Sequence, residues 1–208
     1  MGEFLTRRRA AMSEASGSVQ PAVGSAITAR SAAWFSTPIL MPANSVVLIS
    51  CELNYGTGGY GSGFNFFYFP NSTNNGIIGR SSSDKNLRYR YSTVGSYYSN
   101  SGVFGNKTVR SIELKPAQKL FTLSFSDGTT LDSTQSRPND SWLARASGLY
   151  MHLTPNFYVK RITQTNAGGV VAHDIVPAVG NGVVGMFDMV DHAFYPYAGD
   201  NAAITTIT

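Results

Sequence analysis

Ser45-Val46-Val47-Leu48-Ile49-Ser50-Cys51-Glu52-Leu53-Asn54-Tyr55 reads as a half-buried β-strand. Val47, Ile49, Cys51, Leu53 and Tyr55 fall on one side of it and Ser50, Glu52 and Asn54 on the other, as a strand with one dry and one wet face requires. Similar runs follow along the chain. Gly63 to Phe69 is aromatic, and Asn86 to Val94 alternates Leu87, Tyr89 and Tyr91 against Arg88 and Arg90. Lys119 to Ser126 alternates Phe121, Leu123 and Phe125 against Thr122 and Ser124, and Asp127-Gly128 then sits where a tight hairpin needs positive φ. Gly148 to Leu153, Asn156 to Thr165, Gly169 to Val176 and Gly182 to Val190 continue the series, each bounded by Gly, Pro, Asn or Asp. No long helical period and no strand–helix alternation separates them. The expected fold is therefore all-β, an antiparallel two-sheet β-sandwich.

The chain has 208 residues, 42% hydrophobic, 12% aromatic and 13% charged, which is enough apolar material for one packed core and too little charge for a disordered chain. Sixteen Lys and Arg against 12 Asp and Glu give a net charge of +4, too modest to announce a nucleic-acid binder. With a single cysteine, Cys51, no internal disulfide can form. No stretch approaches the roughly 18 to 20 apolar residues of a membrane helix, so no membrane insertion is expected. Arg7-Arg8-Arg9 precedes no apolar segment, so no secretory signal is read there. Residues 1–20 read as a short helix or anchoring peptide with Phe4, Leu5, Arg7, Arg8, Arg9 and Met12 as its contacts, residues 21–33 as a linker of small polar residues, and residues 34–208 as the sandwich.

The C-terminal quarter is more specific. Tyr158-Val159-Lys160-Arg161-Ile162, Ala172-His173-Asp174-Ile175-Val176-Pro177-Ala178, Asn181 to Tyr195 and Ala198-Gly199 resemble the closing strands of concanavalin A-like or laminin G-like jelly rolls. The version resembled is common in bacteriophage structural proteins and gut bacterial surface proteins. Phe125 to Thr129 and Gly148 to Leu153 are similar to the mid-domain hairpin and central strand of that family. The resemblance implies a jelly roll in a non-enzymatic virion accessory, a head-decoration, fibre or tail protein. It would sit in the virion after assembly in the host cytoplasm, bind other virion proteins through its N-terminal peptide, form a homo-oligomer and touch host-surface or mucus glycans. A soluble lectin-like module and a glycoside hydrolase of the same fold are the alternatives. Two departures stand out: Ala33-Trp34-Phe35-Ser36-Thr37-Pro38-Ile39 matches the opening strand only loosely, and Asp200 to Thr208 replaces the Gly-rich finish with a β-prone tail suited to an added strand or a neighbouring subunit.

Little in the sequence announces catalysis. Met186 and Asp188 alternate with Phe187 and Met189, Asp191-His192 reads as a two-residue turn, and Phe194-Tyr195 returns over the core, so His192 beside Asp188 reads as structural. Glycoside hydrolysis needs two carboxyl groups across the bond, whereas Glu113 and Glu52 each lack an acidic neighbour on their strands. No enzyme is expected. His152, His173 and His192 stand about twenty residues apart, without zinc spacing. Gly56 to Gly63 lacks the Lys-Ser/Thr finish of a phosphate loop. No cofactor is expected; calcium is the one ion the loops suggest, with Asp84, Asp127, Asp132, Asp140, Asp174, Asp188, Asp191 and Asp200 as candidate ligands but no tight cluster among them. From Arg80 to Tyr98 cations interleave with tyrosines. Strict alternation favours Leu87, Tyr89 and Tyr91 in the core with the arginines in solvent. The functional alternative is a glycan-binding face of Arg88, Arg90, Tyr97, Tyr98 and Trp142, ahead of nucleic acid, for which no motif occurs.

Overall fold

A computed structural model describes residues 19–29, 33–39, 45–54, 65–68, 77–80, 87–90, 98–100, 107–115, 118, 120–132, 150–153, 157–197 and 202–206. Among them the chain is all-β and antiparallel, in two sheets. The larger is built around the strand of Val47, Ile49, Cys51 and Leu53. β4 (Val46–Asn54) lies between β9 (Thr108–Lys115) and β13 (Phe157–Thr165), and it buries Val47, Ile49, Cys51 and Leu53 as the period of two requires. Beyond β9 come β10 (Leu120–Phe125) and β11 (Thr130–Asp132); beyond β13 come β14 (Val171–Gly180), β15 (Val183–Asp188) and β16 (Ala193–Pro196). The smaller sheet runs β3 (Ala33–Ser36), β12 (Tyr150–Leu153), β5 (Asn65–Tyr68), β6 (Ile77–Arg80), β7 (Leu87–Arg90), β8 (Tyr98–Asn100). Leu153 of β12 is buried in the same apolar cluster as Ile49, Ile112, Phe157 and Ile162 of the larger sheet, which ties the two sheets to one core.

One segment departs from expectation. Residues 21–33, read as a linker, contribute the last residue of β1 (Gln20–Pro21), all of β2 (Ser25–Ala29) and the start of β3, with Ile27 and Ala29 buried. Their residues are too small for the alternation to stand out, yet Ala26, Ile27 and Ala29 fill space that larger side chains would overpack. β13 and β14 pair only near their connecting turn, from Ile162↔Ile175 to Thr165↔Val171; farther along, β2 meets β13 at Val159 and β1 meets β14 at Ala178 and Val179. The β-prone tail adds a strand, the first of its two expected outcomes. It forms β17 (Ala202–Thr206), antiparallel to β2 of its own chain from Ala202↔Ala29 to Thr206↔Ser25.

Turns follow their residues. Asn181 (φ 52) and Gly182 (φ 77) join β14 to β15, both positive as a type I′ hairpin demands. At the β10–β11 and β13–β14 hairpins only the glycine is positive, Gly128 (φ 82) and Gly169 (φ 76), each closing a three-residue loop. Asp127 accepts bonds from the Thr129 N–H and hydroxyl, and Asn166 from the Gly168 and Val170 N–H groups. The expected two-residue turn at Asp191-His192 is instead four residues, Met189 to His192, because Asp188 pairs with Ala193. His192 takes the left-handed position (φ 55).

Candidate functional site

The β14–β15 hairpin builds the site. Its Asn181-Gly182 turn sets Ile175 opposite Asp188, so His173, two residues before Ile175, shares a face with Asp188 one step along the ladder. Asp188 ends β15 with no exposed surface. Its Oδ2 lies 2.6 Å from His173 Nδ1, and its Oδ1 accepts the N–H of Val190 at 2.9 Å and of Asp174 at 3.2 Å. The four-residue turn then brings Asp191 back, so that its Oδ2 stands 3.6 Å from the same His173 nitrogen. The three side chains offer ligand atoms that all lie within 4.8 Å of one another.

Charge follows from these bonds. Burial pushes the Asp188 carboxyl up, but the hydrogen bonds from His173 and from the Val190 and Asp174 N–H groups, with the His173 charge, outweigh it and hold the group below the usual carboxylate range. An anionic Asp188 only accepts, so His173 Nδ1 must carry the proton between them. That leaves Nε2 as the second nitrogen. It has no hydrogen-bond partner among the described residues, on a ring that keeps 18% of its side-chain surface exposed. Tyr195 is pushed up to about 12, by burial first and then by the charges of Asp188 and Asp191. Asp174 turns the other way: both its oxygens accept from Arg161, each at 2.6 Å, while its backbone carbonyl accepts the Met189 N–H. One residue thus anchors the turn on one side and an ion pair on the other.

The residues singled out in the sequence lie elsewhere. Phe4, Leu5, Arg7, Arg8, Arg9, Met12, Tyr97 and Trp142 fall outside the described residues. Arg88 and Arg90 are on β7 and Tyr98 on β8; Tyr98 pairs with Tyr89 and Arg88 with Ser99, so Tyr98 and the two arginines occupy alternate register positions. Glu113 is ion-paired with Lys115 and Glu52 with Arg110, each at 2.5 Å. Of the carboxylates considered for calcium, Asp127 is bonded to Lys107 and Thr129, Asp132 to Thr122 and Asp174 to Arg161. His192, the histidine set beside Asp188 in the sequence, instead tilts against the Phe187 ring, with centroids 6.4 Å apart. The partner of Asp188 is His173. Sequence reasoning missed the pair because the two residues are separated by fifteen positions, although counting outward from Asn181-Gly182 brings them to one face.

No family model matches the chain and no curated protein matches it. Among solved structures it is similar to scytalido-glutamic peptidase with a peptide-based transition-state analog (11% identity, TM-score 0.34) and to scytalido-glutamic peptidase with a transition-state analog inhibitor (11%, 0.38). It is also similar to SCP-B, a member of the eqolisin family of peptidases, in complex with the tripeptide Ala-Ile-His (10%, 0.33). Each match covers 91% of this chain and 100% of the other. These structures correct the expectation of a non-enzymatic virion accessory, since they are peptidases and none is a phage head, fibre or tail protein. At this level the likeness carries no residue and no substrate over to the present chain.

Proposed function

We propose that this domain is an enzyme that moves protons through His173, with Asp188 as the positioning residue. The observation that supports it is the 2.6 Å hydrogen bond from His173 Nδ1 to a carboxylate that has no exposed surface. A buried anion in that position fixes the ring in the tautomer whose lone pair is on Nε2. Nε2 then takes a proton from a water or hydroxyl as that oxygen attacks its target, and the imidazolium so formed has Asp188 and Asp191 at its Nδ1 edge, where their charges stabilise it. The same proton returns from Nε2 to the leaving group. General acid–base help of this kind contributes about 10²- to 10⁴-fold.

Hydrolysis of activated aryl esters by the full chain tests this. The wild type should turn them over, His173→Gly should lose that turnover, and free imidazole should restore part of it. Equal rates in the two proteins, with no response to imidazole, would overturn the assignment.

A further inference from the structure

We infer that the His173 cluster also takes a divalent transition-metal ion, which replaces the Nδ1 proton and thereby shuts off proton transfer at Nε2. The inference deepens the reading of His173 as an acid–base residue, and its inhibitory half rests on that reading, while its binding half stands on geometry alone.

Three observations support it. First, the donor set is one imidazole nitrogen and two carboxylates, a borderline nitrogen–oxygen combination that suits zinc-like ions; calcium calls for six to eight oxygens and has no use for the nitrogen. Second, two ligands on a tetrahedral ion at about 2.0 to 2.2 Å each stand roughly 3.3 to 3.6 Å apart, and Asp191 Oδ2 already lies 3.6 Å from His173 Nδ1. Asp188 Oδ2, at 2.6 Å, holds the distance of a hydrogen bond, so it must draw back when the proton leaves. Third, two carboxylates converge on one imidazole nitrogen, a set whose charge a divalent ion balances.

The surroundings are those of a loadable site. Asp191 keeps 52% of its side-chain surface exposed, which gives an ion a way in, while Asp188 is held from behind by the Val190 and Asp174 N–H groups. Three protein ligands leave a fourth position open to water. In exchange, the ion takes the Nδ1 lone pair and the ring's one proton passes through solvent to Nε2, which then has no lone pair with which to accept. The Asp188–His173 hydrogen bond that supported the Nε2 base is then gone.

Titration of the full, metal-free chain with Co²⁺, followed by its visible absorption, tests the binding half. The wild type should bind one equivalent with the absorption of a low-coordinate nitrogen–oxygen site. Asp191→Asn, a change at an exposed position that leaves the fold intact by circular dichroism, should bind more than about tenfold more weakly. Absence of binding in the wild type, or equal binding in the two proteins, overturns the metal site. The inhibitory half is read separately, as loss of aryl-ester turnover on the addition of one equivalent of Zn²⁺. Full turnover with the ion bound overturns the competition. A protein that binds Co²⁺ but shows no His173-dependent turnover even when metal-free instead contradicts the acid–base reading and leaves the metal site standing.

Discussion

Asp188 carries its carboxylate inside the protein. A carboxylate with no exposed surface is tolerated because its oxygens accept from an imidazole and two backbone N–H groups, and these bonds keep its carboxyl below the ordinary value of 3.8. Since the folded value lies below the unfolded one, the stability Asp188 contributes is fully present above about pH 5 and is lost as the pH falls through the folded value. Thermal melts from neutral to acidic pH should therefore show a larger acid loss in the wild type than in Asp188→Asn. At neutral pH the same substitution should cost roughly 1.5 to 3 kcal/mol, the usual worth of hydrogen bonds to a charged group, measured by urea unfolding. An unchanged acid limb would mean that Asp188 is not held as an anion. This residue was half legible in the sequence. Asp188 stood out as a strand aspartate, but proximity along the chain set it beside His192, whereas the hairpin ladder sets it against His173. What chose between the two histidines was the length of the turn, four residues instead of two, which no residue in Met189 to His192 announces.

At the scale of elements, the β14–β15–β16 meander holds the site, and it is packed where it has no side chains of its own. Phe194 of β16 lies over Gly180 and Gly185, and a Cβ at Gly185 would overlap the Tyr195 carbonyl oxygen as well as the Phe194 ring. Gly185→Ala should accordingly destabilise by roughly 1 to 3 kcal/mol through overpacking, detected as a lowered denaturant midpoint. An unchanged midpoint would show that Phe194 and Tyr195 move aside freely. The outermost strand β17 offers a second check. Its pairing with β2 covers a strand that carries Ile27 and Ala29 into the core. Ending the chain after Asn201 should leave the β2 edge open, lower the melting temperature and promote association; a truncated chain that melts and sizes like the full one would contradict this. The large apolar strands β4, β10 and β13 were readable because their side chains alternate visibly. β2 was not, because Ser25-Ala26-Ile27-Thr28-Ala29 holds a single large apolar residue, and its burial comes from fitting where β13 and β14 diverge.

The whole molecule joins two antiparallel sheets through one apolar core, and Leu153 is the described residue of the smaller sheet that enters it. Leu153→Ala should cost roughly 2 to 5 kcal/mol and should weaken the seating of the smaller sheet more than the β14–β15 hairpin. Hydrogen exchange reads the difference, as faster exchange on β12 and β3 than on β14 and β15. Fold class was legible because a period of two survives without knowledge of which strand pairs with which; the site was not, because it depends on register. The proton transfer proposed for this domain requires Asp188 to fix His173 with its proton on Nδ1 and its lone pair on Nε2. The most direct test is the imidazole ¹⁵N spectrum of His173 in the full chain at neutral pH, recorded for the wild type and for Asp188→Asn. A proton held on Nδ1 in the wild type and released or moved to Nε2 in the variant is the predicted result. A proton on Nε2 in the wild type, or a spectrum unchanged by the substitution, would contradict it.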